Sequence, residues 1–187
     1  MEIKYKGKVF RAIVATPACG KSYICDRFSN FVDVDELRLF SKYFIPNEIT
    51  RDELEKTKSI RPYKRRDDFK KRFNESIVAA IKSDKILLCA PHPEVKEILI
   101  NNNIPYIFVY PAKSMKSEIK NRMEIRGNDP LVVKQNDDAF YDYYQSNKDE
   151  PYAKFKCELK PGQYLYDLLK DEMGIDFNQC DKKEIKK

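Results

Sequence analysis

No apolar run in the sequence reaches the ~18 residues that a membrane-crossing helix needs, so the chain is not read as a helical membrane protein. Internal repeats and low-complexity linkers are missing too. The opening residues, MEIKYKGKVF, hold no apolar stretch of the kind that makes a secretory leader. The five cysteines (Cys19, Cys25, Cys89, Cys157 and Cys180) are odd in number and show no metal-type C-x-x-C pairing. They read as reduced thiols, with Cys89 and Cys157 as small apolar residues inside apolar runs. Histidine occurs once, as His92.

What is present is a globular composition. The 187 residues are 42% hydrophobic and 12% aromatic, enough for one well-buried domain and too few for two ordinary ones. The formal net charge of +6 is spread along the chain. It suits an anionic ligand such as a nucleotide and also permits nucleic acid, without choosing between them.

Short apolar runs alternate with helical segments. VFRAIVA (9–15), FVDV (31–34), KILLCA (85–90) and IPYIFVY (104–110) read as strands, and CEL near 157–159 as a fifth. Helices are predicted over 20–29, 67–83, 94–102, 114–126, 134–147 and 163–173. Strands apolar on both faces and separated by helices indicate a parallel sheet covered on each side. The expected fold is α/β, a three-layer α/β/α sandwich around a parallel sheet of about five strands, with right-handed crossovers. Phe69, Phe73, Ile77 and Ile81 recur every four residues and predict one buried helical stripe. Residues 45–66 show no period; two prolines and the basic cluster RPYKRR mark an insertion over the sheet edge.

ATPACGKS (15–22) follows the first strand and opens a helix, the context a phosphate-binding P-loop requires. A tight strand-to-helix turn points backbone N–H groups inward onto phosphate oxygens. Ala15, Thr16, Pro17, Ala18, Cys19, Gly20, Lys21, Ser22 and Tyr23 are the predicted donor-nucleotide segment. Gly20 allows close backbone approach, Lys21 reaches the β- and γ-phosphates, and Ser22 offers a hydroxyl to Mg²⁺. The pattern's first glycine is replaced by Ala15, which keeps the turn if its φ stays negative.

FVDVDELR (31–38) brings Asp33 and Asp35 to the carboxyl end of the second strand, where ligands of open α/β sheets lie. Asp33 is the candidate for a Mg²⁺-bound water, since no strand ends in the usual Walker-B aspartate. Asp35 either accepts a proton from a substrate hydroxyl, fixes a sugar, or with Glu36 merely caps the next helix. Arg38 is placed to pair with an acceptor phosphate. His92, flanked by Pro91 and Pro93, either touches the acceptor or locks a turn. Glu118, Arg122 and Arg126 share one face of a helix. They form either a solvated ion-pair ladder or a lid whose arginines neutralise charge during phosphoryl transfer. Gly127 ends that helix, and Pro130 follows.

The order of these parts resembles the adenylate-kinase-like group of P-loop kinases, and within it the small nucleotide kinases often carried by bacteriophages. The resemblance runs from about Lys8 to Leu169 and rests on ATPACGKS, FVDVDELR, KILLCAPH with Glu94-Val95, and VYPAKSMKSEIKNRMEIRGN. It implies that Lys21 and Ser22 serve ATP and Mg²⁺, and that Arg122 and Arg126 form a lid. It implies too that residues 36–66 cap the acceptor and that Lys160-Pro161-Gly162 borders the adenine. The expected organisation is one kinase domain over 1–175, with the acceptor insertion at 36–66, the lid at 113–130 and a charged tail at 176–187. A cytoplasmic location follows, or the host cytoplasm for a viral protein.

Three functions stay open on these residues. A nucleoside monophosphate kinase needs arginines and no strong base; Arg38, Arg61, Lys64, Arg65 and Arg66 would clamp its acceptor. A hydroxyl kinase would use Asp35 as general base, since DELR resembles the Asp-x-x-Arg element of polynucleotide kinases, zeta-type toxins and antibiotic phosphotransferases; the basic cluster would then track a nucleic-acid backbone. A regulatory ATPase would need no acceptor. The expected partner is a small nucleotide, with nucleic acid second and no membrane. Tyr141, Tyr143 and Tyr144 leave open a monomer packing aromatics on its own core or a homodimer.

Overall fold

The computed structural model describes residues 1–34, 41–43, 63–65, 69–128 and 130–183. Its centre is a parallel sheet of five strands: β3 (Ala12–Ala15), β4 (Phe31–Asp33), β7 (Ile86–Cys89), β8 (Tyr106–Pro111) and β9 (Phe155–Leu159), ordered β4-β7-β3-β8-β9. Two small antiparallel pairs stand apart: β1 (Ile3–Tyr5) with β2 (Lys8–Phe10), and β5 (Ser41–Tyr43) with β6 (Tyr63–Arg65).

Every residue of β3, β7 and β8 is buried, which is why these strands are apolar throughout rather than alternating. Successive side chains point to opposite faces and feed two separate cores. Ile13, Ala15, Leu88, Ile107 and Val109 join one. It is covered by α1 (Lys21–Arg27), α4 (Lys116–Ile125) and the segment from Leu165 to Cys180. Ala12, Val14, Leu87, Cys89 and Phe108 join the other, under α2 (Phe69–Lys82) and α3 (Pro93–Asn101). Of the predicted α2 stripe, Phe73 and Ile77 are buried and Ile81 packs partly against this core, with Ala80 completing the face. All five cysteines are buried, and none is in a disulfide.

Two expectations are corrected. The run 9–15 is not one strand: Arg11 interrupts it, so Val9 belongs to the β1–β2 hairpin and β3 begins at Ala12. The helix predicted over 134–147 is two, α5 (Pro130–Asp138) and α6 (Phe140–Lys148), parted at Ala139 (φ −89°, ψ 6°). The break lets Val133 and Phe140 both reach the first core. Within the charged tail, Phe177 and Cys180 are buried in that core, and residues as far as Lys183 bond to Arg27 and Ser29. The apolar positions between its charges hold it down.

Because all five strands run parallel, their carboxyl ends share one edge. The chain leaves β3 towards β4 on one side and later crosses to β8 on the other, so the edge beyond β3 is the switch point of the sheet.

Candidate phosphate-binding site

The loop Thr16–Gly20 joins β3 to α1 at that switch point. Thr16 N–H donates to the Val109 carbonyl (3.1 Å), fixing the loop's start to β8. Ala15 lies in β3 and is not among the residues of positive φ, so the alanine in place of glycine keeps the turn. The left-handed positions fall instead at Ala18 (φ 60°) and Gly20 (φ 99°). For alanine that region costs on the order of 1 kcal/mol, a local strain that the surrounding bonds must hold. Those bonds are present: Thr16 Oγ1 meets Cys19 Sγ at 3.0 Å, and Leu165 N–H donates to the Cys19 carbonyl at 2.8 Å. Burial pushes the Cys19 thiol up, so it stays protonated.

Lys21 is 9% exposed, and its ammonium curls into the loop, donating to the carbonyls of Ala15 (2.8 Å) and Thr16 (3.2 Å). A cation enclosed by a turn of backbone suits a tetrahedral anion. Ser22 follows in the first turn of α1, where Arg126 Nη2 donates to its hydroxyl at 3.0 Å.

The arginine helix crosses to the same loop. A 3₁₀ turn (Lys113–Met115) leads into α4, and Gly127 (φ 75°) ends it. There Asn128 N–H reaches the Met123 carbonyl and Gly127 N–H the Glu124 carbonyl, a Schellman stop. Arg122 is buried. It pairs with Glu118 and donates to the carbonyls of Ala18 (3.4 Å) and Gln163 (3.0 Å). Glu118 in turn accepts from Gly162 N–H at 3.1 Å. The Glu118–Arg122 pair is therefore no exposed ladder; it ties the loop 160–164 to the P-loop. Among the described residues, Arg122 Nε and Asn128 Oδ1 are the buried side-chain polar atoms without a hydrogen-bond partner.

Asp33 is 5% exposed at the end of β4, on the same sheet edge as Ser22. Serine hydroxyl, one carboxylate and nucleotide phosphates form an oxygen donor set that fits Mg²⁺, which keeps several waters and needs few protein ligands. Among the described residues no three His, Cys, Asp or Glu side chains gather as a metal site of their own. His92 is exposed at the N-cap of α3, with extended backbone that leads into Pro93, and its side chain caps nothing. The geometry fits the turn-forming alternative and leaves the ring at the shared edge. Tyr144 packs on Tyr110 and donates to Glu158 (3.0 Å), whereas Tyr141 and Tyr143 are about half exposed.

Asp35, Arg38, Arg61 and Arg66 lie outside the described residues. Lys64 and Arg65 fall in β6, whose backbone pairs with β5. Sequence reasoning missed Gln163 and Tyr164. The Tyr164 ring stacks on the Arg122 guanidinium (3.6 Å to the ring centroid) and sits 3.3 Å from where a Cβ on Gly20 would be. Only Gly162, two residues earlier, hints at a turn there.

The strand order and the loop define an α/β protein with a P-loop at the switch point of its sheet. The sequence matches no protein-family model and no curated protein sequence. Among solved structures, a gluconokinase from Sinorhizobium meliloti 1021 is similar, with 14% identity over 87% of each chain and a TM-score of 0.45. The fold assignment rests on the chain's own strand order and two-sided burial.

Proposed function

We propose that this chain is an ATP-dependent phosphotransferase whose acceptor is a nucleoside or deoxynucleoside monophosphate. One observation carries the reading: three cations converge on a single loop. Lys21 lies inside it, Arg122 bonds to Ala18 and Arg126 bonds to Ser22. Phosphoryl transfer spreads negative charge over the γ-oxygens, and fixed cations lower its barrier by electrostatics rather than by covalent chemistry. Ser22 and Asp33 would hold Mg²⁺, which would supply positive charge against the phosphates of the nucleotide. The two arginines then differ in role. Arg122 is buried and held by several partners. Arg126 is exposed, and its contact with Ser22 is one the incoming nucleotide must replace, freeing it for the γ-phosphate.

A monophosphate acceptor presents an oxygen that is already ionised, so it needs cationic groups and no strong base. Residues 36–66 are proposed to supply them. The test is ADP release from ATP and Mg²⁺ across ribo- and deoxynucleoside monophosphates, nucleosides and 5′-OH oligonucleotides, with Lys21→Ala as the inactive control. Stimulation by one monophosphate is expected, with Asp35→Asn lowering kcat by less than about tenfold. A hydroxyl kinase would instead respond to a hydroxyl acceptor and lose about 10²–10⁴-fold with Asp35→Asn, the usual worth of a general base. Hydrolysis that no acceptor stimulates would favour a regulatory ATPase.

A further inference from the structure

Tyr164 packs against both the P-loop and Arg122, and no role has been given to it. Its backbone is fixed on both sides. Tyr164 N–H donates to Asp167 Oδ2 at 2.8 Å, and the next residue, Leu165, donates to Cys19. The residue is 44% exposed, far more than a core aromatic would be, yet two parts of the site pack against its ring. One is Arg122, whose guanidinium carbon lies 3.6 Å from the ring centroid, close for a cation–π stack. The other is Gly20, whose backbone the ring approaches so closely that an added Cβ would meet Tyr164 Cδ1 at 3.3 Å. Arg122 is thus flanked by the Tyr164 ring, the Glu118 carboxylate and two backbone carbonyls, while its Nε–H has no acceptor. A guanidinium held on so many sides is fixed in place before any nucleotide arrives.

We infer that Tyr164 is a positioning residue for the phosphoryl donor: it acts through Arg122, holding that guanidinium against the Ala18 carbonyl so that cation and P-loop are already in place when ATP arrives. This rests on the phosphotransferase reading and deepens it. A rigid cation loses less entropy on binding than a free one, so the ring contributes to affinity without touching the nucleotide. A Cβ at position 20 would also need the Tyr164 ring to give by a few tenths of an ångström, beyond the strain of the positive φ.

The experiment is calorimetric titration of ATP and Mg²⁺ into the full chain, with thermal unfolding run on each variant. Tyr164→Ala is expected to raise the Kd for ATP about five- to thirtyfold, the range that loss of a partly desolvated cation–π contact allows. Tyr164→Phe keeps the ring and should recover most of that affinity. Tyr164→Leu keeps bulk over Gly20 but has no π face, so it should show the same five- to thirtyfold loss and carries the test if the alanine variant fails to fold. The deciding measurement is a double-mutant cycle: if the ring acts through Arg122, Tyr164→Leu combined with Arg122→Ala binds no more weakly than Arg122→Ala alone. Additive losses would overturn the inference, as would a wild-type Kd in Tyr164→Leu. Absence of any Lys21-dependent ATP binding by the unaltered chain would overturn the phosphotransferase reading itself, and this inference with it.

Discussion

Glu150 is 3% exposed and sits where the chain turns towards β9. Burial alone would push its carboxyl up, but a hydrogen-bonded Lys96 ammonium, the Tyr106 hydroxyl (2.9 Å) and Tyr152 N–H (3.2 Å) together bring it below the usual carboxylate range. The same contact and its burial push the Tyr106 hydroxyl up. The three donors join α3, β8 and the approach to β9 through one side chain. Because the folded pKa is depressed, the stabilisation is fully present above the unfolded value of 4.5 and is lost as pH falls through the lower folded one. Glu150→Gln should cost about 2–4 kcal/mol at pH 7, since it leaves Lys96 facing a neutral amide in a half-buried setting. Urea unfolding at pH 7 and below pH 4 checks this; the gap between wild type and variant should narrow on the acid side. Nothing in the sequence singles out Glu150 from its charged neighbours. The strand-loop-helix that carries Gly20, Lys21 and Ser22, by contrast, was legible, because an apolar run, a Pro/Gly turn and a helical segment follow one another in the sequence.

At the scale of elements, legibility followed periodicity. The buried strands stood out because both faces are apolar, and α2 because Phe73 and Ile77 repeat at helical spacing. The β1–β2 hairpin was hidden because Val9 and Phe10 run on into Ala12–Ala15, with only Arg11 marking the break. The split between α5 and α6 was hidden because Ala139 is itself a good helix former. α4 reads plainly, down to its stop at Gly127. A Cβ at Gly127 would touch nothing within 4 Å, so Gly127→Ala costs only the left-handed backbone, about 1 kcal/mol. For a chain of this size that lowers Tm by roughly 2–4 °C, measurable by calorimetry. The loosened helix end carries Arg126, so the same variant should weaken ATP binding modestly while leaving Glu150 chemistry unaltered. The pairing of Glu118 with Arg122 was visible as a spacing of four, but its use was not: the loop at Gly162 and Gln163 that completes it is 41 to 44 residues further on.

Across the whole molecule, the P-loop helix is roofed by residues from the far end of the sequence. Phe177 stacks on Tyr166 (4.3 Å) and Phe31 (5.8 Å) and packs against Phe28 (4.8 Å), and Lys183 bonds to Cys25, 158 residues away. Phe177→Ala removes the ring common to these contacts and should cost about 3–5 kcal/mol. Equilibrium denaturation would register it as a lower midpoint, and hydrogen exchange as faster opening of α1. A charged composition concealed this roof, because isolated apolar residues among lysines and aspartates carry no period to read.

That roof also fixes an order of events. α1 follows the phosphate loop early in the chain; its apolar side packs on the sheet beside β4, and residues 165–183 close over the rest of it. Contacts between such distant segments form late and slowly, because a long loop must be closed before they repay its entropy. During synthesis the sheet's central strands can assemble while the loop that opens α1 is still without its backing. The segment that backs α1 is thus made long after the helix itself, and until then part of the helix behind the loop lacks its cover.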